Sequence, residues 1–140
     1  MNLSLPTFRL THQSLNTEEL TLPKLMIVDD DRTTVTLLKT LLEMDGFDVV
    51  IVPRGAMVME RAHQELPDIF LMDYHLSDME GTTIIKSLRA DARFAHTPIV
   101  MSSGLNVEDE AKRAGANMFL VKPFEPGNLA GIFNKLLEQA

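Results

Sequence analysis

The sequence contains no cysteine. Disulfides, thiolate metal sites and cysteine nucleophiles are therefore excluded. It also lacks any cluster of lysine and arginine, and its formal charge is −7, so a nucleic-acid surface on this chain is not expected. No apolar run approaches the ~18 residues that a membrane span requires. The amino-terminal segment has no basic stretch leading into an apolar core, so it does not read as a signal peptide. The expected location is the cytoplasm. Internal repeats and low-complexity tracts are absent too. What is there is ordinary in bulk: 140 residues, 45% hydrophobic and 24% charged, enough for one domain with a buried core.

Residues 1–23 read as a partly ordered extension, with Pro6, Pro23 and at most one helical turn at Asn16–Leu20. From Lys24 onward short apolar runs alternate with helical patterns. Strands are expected at about 24–29, 47–52, 68–73, 98–103 and 116–122. Helices are expected at about 32–45, 55–66, 81–90, 107–114 and 126–138. Leu37, Leu38, Leu41 and Leu42 form the apolar stripe of the first helix, and Gly46 ends it. Pro67 stops the second helix, and Pro126 suits the first turn of the last. Alternation of this kind gives an α/β fold with a parallel sheet covered on both faces. The expectation is a three-layer (βα)5 sandwich, residues 24–140, with the flavodoxin-like strand order 2-1-3-4-5.

The chemistry sits at the strand ends. Asp29, Asp30 and Asp31 follow the run Leu25–Val28, and Asp73 follows Ile69–Met72. In an open parallel sheet the carboxyl ends of the strands line the ligand crevice, so Asp29, Asp30 and Asp73 are expected at one edge. Three carboxylates together repel one another unless a cation lies between them. An all-oxygen donor set suits Mg²⁺, Mn²⁺ or Ca²⁺ rather than zinc. Asp31 reads instead as a helix cap. The histidines His12, His63, His75 and His96 have no paired metal spacing, and the nine methionines read as core filler.

Two further strand ends complete the set: Ser103-Gly104 on the fourth and Lys122-Pro123-Phe124 on the fifth. An acidic pair, an isolated Asp, a hydroxyl followed by a small residue, and Lys-Pro-Phe, each on its own strand in this order, resemble the receiver domain of two-component response regulators. The resemblance covers residues 24–138. It implies that Asp73 is a phosphoacceptor and that Asp30 ligates Mg²⁺ directly (Mn²⁺ is an alternative). Asp29 would ligate it directly or through water, and the backbone carbonyl of His75 would be another ligand. Lys122 and Ser103 would contact phosphoryl oxygens, and Ser103 with Phe119 would form the switch. A carboxylate can act as a nucleophile toward phosphorus. The transfer itself depends on positioning and charge neutralisation. The three acids, Lys122 and one divalent cation sum to about zero charge before the phosphoryl group enters.

The implied partners are a histidine kinase or histidine phosphotransfer protein, and a downstream target or fused output domain. No membrane contact is expected, and a homodimer through the leucines of the extension is an option. Three departures from the usual receiver pattern stand out. Ser77 replaces a common Pro, which implies a looser loop, Ser103 replaces Thr, and Phe119 lacks a hydroxyl. Competing readings are an Asp-nucleophile phosphatase, a flavin module and an unphosphorylated interaction domain. The phosphatase reading meets His75 where a second Asp is usual. The flavin reading meets Asp29-Asp30-Asp31 where a phosphate-binding loop is needed. Because residues 1–23 supply no strand-end residue, a chain starting at Leu22 is expected to fold and label on Asp73 at the full-length rate. Circular dichroism and intact mass would check this.

Overall fold

The computed structural model describes residues 9–10 and 20–140. A short antiparallel pair, β1 (Arg9–Leu10) and β2 (Leu20–Thr21), precedes the main body. The body then alternates β3 (Lys24–Val28), α1 (Arg32–Met44), β4 (Asp48–Val52), α2 (Val58–Glu65) and β5 (Ile69–Asp73). It continues with α3 (Gly81–Ala90), β6 (Ile99–Ser103), α4 (Glu108–Ala114), β7 (Met118–Val121) and α5 (Leu129–Gln139). The five main strands are parallel and lie in the order β4-β3-β5-β6-β7. This is the expected 2-1-3-4-5 order. No described helix is long and apolar enough to cross a membrane.

The two-residue period of the strands splits the core into two layers. Met26, Val28, Phe70, Met72 and Met101 face one side and pack on Val58, Ile84, Ile85, Leu88 and Ala111. Leu25, Ile27, Ile69, Leu71 and Val100 face the other and pack on Val35, Leu38, Leu42, Leu129 and Phe133. Because β3 and β5 are buried on both faces, they carry continuous apolar runs.

Several local expectations are corrected. Leu37 is 52% exposed; Val35 joins Leu38 and Leu42 on the buried stripe instead. The second helix opens with a 3₁₀ turn, Gly55–Met57, and ends at Glu65. Leu66 then caps the helix at a left-handed φ of 51°, its N–H donating to the Ala62 carbonyl, and Pro67 cannot continue the helix. The last helix likewise opens with a 3₁₀ turn, Pro126–Asn128. The last strand is shorter than expected, four residues from Met118. Of the turn expected at 16–20, all but Leu20 lies outside the described residues, and Leu20 is in a strand. Pro23 already belongs to the body, accepting the Asp48 N–H through its carbonyl at 2.9 Å.

Arg89 joins three segments on the α3–α4 side. Its guanidinium donates to the carbonyls of Phe94 (2.8 Å), Thr97 (2.7 Å) and Gly115 (3.0 Å), and to Asn117 Oδ1 (2.9 Å). Asn117 Oδ1 also accepts the Ile99 N–H at 2.8 Å, so one side chain fixes the entry to β6 and the approach to β7. Arg89→Leu is expected to cost about 2–4 kcal/mol, because hydrogen bonds to a charged donor are lost and carbonyls are left unpaired. Urea unfolding would measure it. Arg89→Lys should recover only part, since an ammonium cannot span the same fork of acceptors.

Candidate functional site

The carboxyl ends of β3, β5 and β7 bring four charged groups together. Asp31 turns away as the N-cap of α1, accepting the N–H groups of Thr33 (3.1 Å) and Thr34 (3.4 Å) and the Thr34 hydroxyl (2.9 Å). These bonds hold its carboxyl below the usual range. Its own N–H donates to Asp29 Oδ1 at 2.9 Å, which turns Asp29 inward. Asp29, Asp30 and Asp73 each place a carboxylate oxygen within 4.8 Å of the others. Lys122 Nζ lies 3.1 Å from Asp73 Oδ1 and 3.7 Å from Asp29 Oδ2. The Lys122 N–H donates to the Ser103 carbonyl at 2.8 Å, tying β7 to the end of β6, and the Lys122–Pro123 peptide is cis.

Burial raises the carboxyls of both Asp29 and Asp73 above the usual range. The Asp29 charge raises Asp73 further, and Lys122 offsets this only in part. The site therefore carries uncompensated negative charge on an all-oxygen donor set. Asp29, Asp30 and Asp73 fit a hard divalent cation on those grounds.

Ser103 is buried, and its Oγ accepts the Leu105 N–H at 3.1 Å, leaving the hydroxyl proton to be donated elsewhere. A Cβ on Gly104 would meet nothing within 4 Å, so the space beside Ser103 is open. Phe119 pairs in register with Met101 and packs against the α2–α3–α4 layer. His75 is exposed, with its ring edge-on to Tyr74 at 4.5 Å.

Residues 25–134 match the family model of the response regulator receiver domain. The chain belongs to that family. This receiver domain is 32% identical over 121 residues to the chemotaxis protein CheY of Bacillus subtilis (strain 168), covering 81% of this chain and 97% of that one. It is 31% identical over 122 residues to the phosphate regulon transcriptional regulatory protein PhoB of Rhizobium meliloti (strain 1021), covering 85% of this chain and 54% of that one. It thus spans about half the length of the transcriptional regulators it matches. Among solved structures, the chemotaxis response regulator CheY4 of Vibrio cholerae superposes with a TM-score of 0.78 at 26% identity, covering 83% of this chain and 99% of that one. The receiver domain of the sensor histidine kinase PA1611 of Pseudomonas aeruginosa PAO1 gives 0.76 at 25% identity, covering 83% and 98%. That structure has a magnesium ion coordinated in its active-site cleft.

The receiver site also uses residues the sequence reading missed. A Cβ on Gly81 would lie 2.3 Å from the Asp73 carbonyl oxygen, so only glycine lets α3 begin so close to the end of β5. Its signal was a glycine at a helix start where a better helix former would otherwise serve. The Tyr74 hydroxyl bonds Glu110 on α4 and, at 3.4 Å, Glu80; the pairing spans 36 residues and left no local trace. The loop after Asp73 is tied back by hydrogen bonds to two other segments. The Ser77 N–H donates to Asp30 Oδ2 at 2.8 Å. Asp78 accepts the N–H groups of Gly55 (3.0 Å) and Ala56 (2.9 Å). Without a proline there, Ser77 keeps the N–H that makes the bond to Asp30.

The raised carboxyls set a pH dependence. The folded state holds the Asp73 proton more tightly than the unfolded chain, whose carboxyl titrates near 3.8. Ionisation of Asp73 therefore lowers folding stability as pH rises above that value. Metal-free Asp73→Asn should melt at a higher temperature than wild type at pH 7, and the gain should shrink as pH falls toward 3.8. Thermal unfolding in chelator checks it; a lower melting temperature for the variant at pH 7 would contradict the sign.

Proposed function

We propose that this receiver domain accepts a phosphoryl group on Asp73 from a histidine kinase or a histidine phosphotransfer protein. The observation that carries the reading is the Lys122 ammonium 3.1 Å from Asp73 Oδ1, within a three-carboxylate cluster at the sheet edge. Asp29, Asp30, Asp73 and the His75 carbonyl would hold Mg²⁺, or Mn²⁺ in its place. When bound, the cation supplies charge neutralisation for the incoming phosphoryl oxygens.

The chain's own residues do the rest. An Asp73 oxygen attacks phosphorus, the P–N bond to the donor imidazole breaks, and its electron pair returns to the nitrogen. Lys122, already paired with Asp73, can transfer its contact to a phosphoryl oxygen. The Ser103 hydroxyl donates to another, and Gly104 keeps space for the group. Water attack on phosphorus later releases phosphate and restores the carboxylate. The domain catalyses only its own phosphorylation and dephosphorylation and acts in the cytoplasm.

Phosphorylation shifts a population only if the group binds two states differently. Ser103 and Phe119 would provide that difference on the α4–β7–α5 face. Leu105 and Val121 are exposed there, at 59% and 50%. The reader of that face is a downstream protein or a fused output domain, and a homodimer is a further form. No nucleic acid contacts this domain itself.

With Mg²⁺ and a small acyl phosphate donor, wild type should gain one phosphoryl group by intact mass, and Asp73→Asn none. Lys122→Ala should slow labelling by about 100-fold, the scale for losing one charge-stabilising donor, and Lys122→Arg should not restore it. Ser103→Ala should still label but show smaller amide shift changes on α4 and β7. Full labelling of Asp73→Asn would overturn the assignment.

A further inference from the structure

Asp30 is exposed, yet its carboxylate is not left to sample solvent. Its Oδ2 accepts the Ser77 backbone N–H at 2.8 Å, across 47 residues of sequence. The donor sits in a loop that is itself anchored. Asp78 takes the Gly55 and Ala56 N–H groups at 3.0 and 2.9 Å. The Gly81 N–H reaches the Tyr74 carbonyl at 2.7 Å, and the Leu76 N–H reaches the Met79 carbonyl at 3.2 Å. An anchored amide therefore holds an exposed acid.

One bond to a backbone N–H uses one of about four acceptor sites on a carboxylate. Fixing Oδ2 leaves Oδ1 and its lone pairs for a ligand while removing much of the rotamer freedom that binding would otherwise have to restrict. Mg²⁺ demands near-ideal octahedral geometry and tolerates misplaced ligands poorly. Hydrogen bonds behind a metal ligand typically change affinity by about 10–100-fold when removed.

We propose that the Ser77 amide is a positioning group for the divalent cation, acting by orienting Asp30. The proposal rests on reading Asp29, Asp30 and Asp73 as a cation site. It assigns the role to the N–H of residue 77 and not to its hydroxyl. The bond would persist with the cation bound, because Oδ1 is left free of the amide to serve as the ligand.

Calorimetric titration of the unphosphorylated protein with Mg²⁺ alone tests this. Ser77→Ala keeps the amide and should bind as wild type does. Ser77→Pro removes the donor and should bind about tenfold more weakly. Hydrogen exchange at the Ser77 amide provides a test that needs no proline. Exchange should be slow in wild type with and without Mg²⁺, and fast in Asp30→Ala; it decides the matter if Ser77→Pro does not fold. A folded Ser77→Pro that binds Mg²⁺ like wild type overturns the proposal and leaves the proposed function standing. So does an equal loss in Ser77→Ala, or exchange that quickens on adding Mg²⁺. Absence of Mg²⁺ binding by wild type would remove both.

Discussion

Three carboxylates share a partly buried edge of the sheet with one ammonium, and most of the architecture around that edge manages the resulting repulsion. Asp29 is screened from within by the Asp31 N–H and by Lys122. Asp30 is held by Ser77. Asp73 keeps Lys122 at ion-pair distance, but its carboxyl remains raised because burial and the Asp29 charge outweigh that contact. A site left with surplus negative charge can take in a cation and then a dianion without rebuilding its frame. That is the electrostatic basis of the functional reading.

The frame is the parallel sheet. Parallel pairing in a single register along β3, β5, β6 and β7 gives the ends of β3, β5 and β7 fixed heights at the edge. The Lys122 N–H bond to Ser103 sets the height of β7, and Gly81 lets α3 start against the last residue of β5. The chemistry thus depends on backbone contacts as much as on the charged side chains.

The elements legible in the sequence were those with a local signature. Short apolar runs alternating with helical patterns placed the strands, and right-handed crossovers left few orders for them. Asp31 read correctly as a cap because capping acts within three residues. Asp29 and Asp30 were legible because they follow one apolar run, and Asp73 and Lys122 because each follows its own. Leu37 was misplaced because a stripe of leucines does not say which edge of the stripe meets the sheet. Ser77, Asp78, Tyr74 and Glu110 were missed for a shared reason. Their partners are tens of residues away, and in the case of Ser77 the acting group is the backbone, which every residue but proline possesses.

Tyr74 follows Asp73 directly, so the two side chains leave β5 on opposite faces. One belongs to the acid cluster and the other reaches Glu110 on α4. The Glu110 carboxylate pushes the Tyr74 phenol up to about 12, so it remains a protonated donor throughout the range in which cells live. A histidine in that place would make the strand-to-helix tether respond to acidity, whereas a tyrosine makes it indifferent. The Tyr74 hydroxyl thus stays a donor in this tether across the neutral pH range.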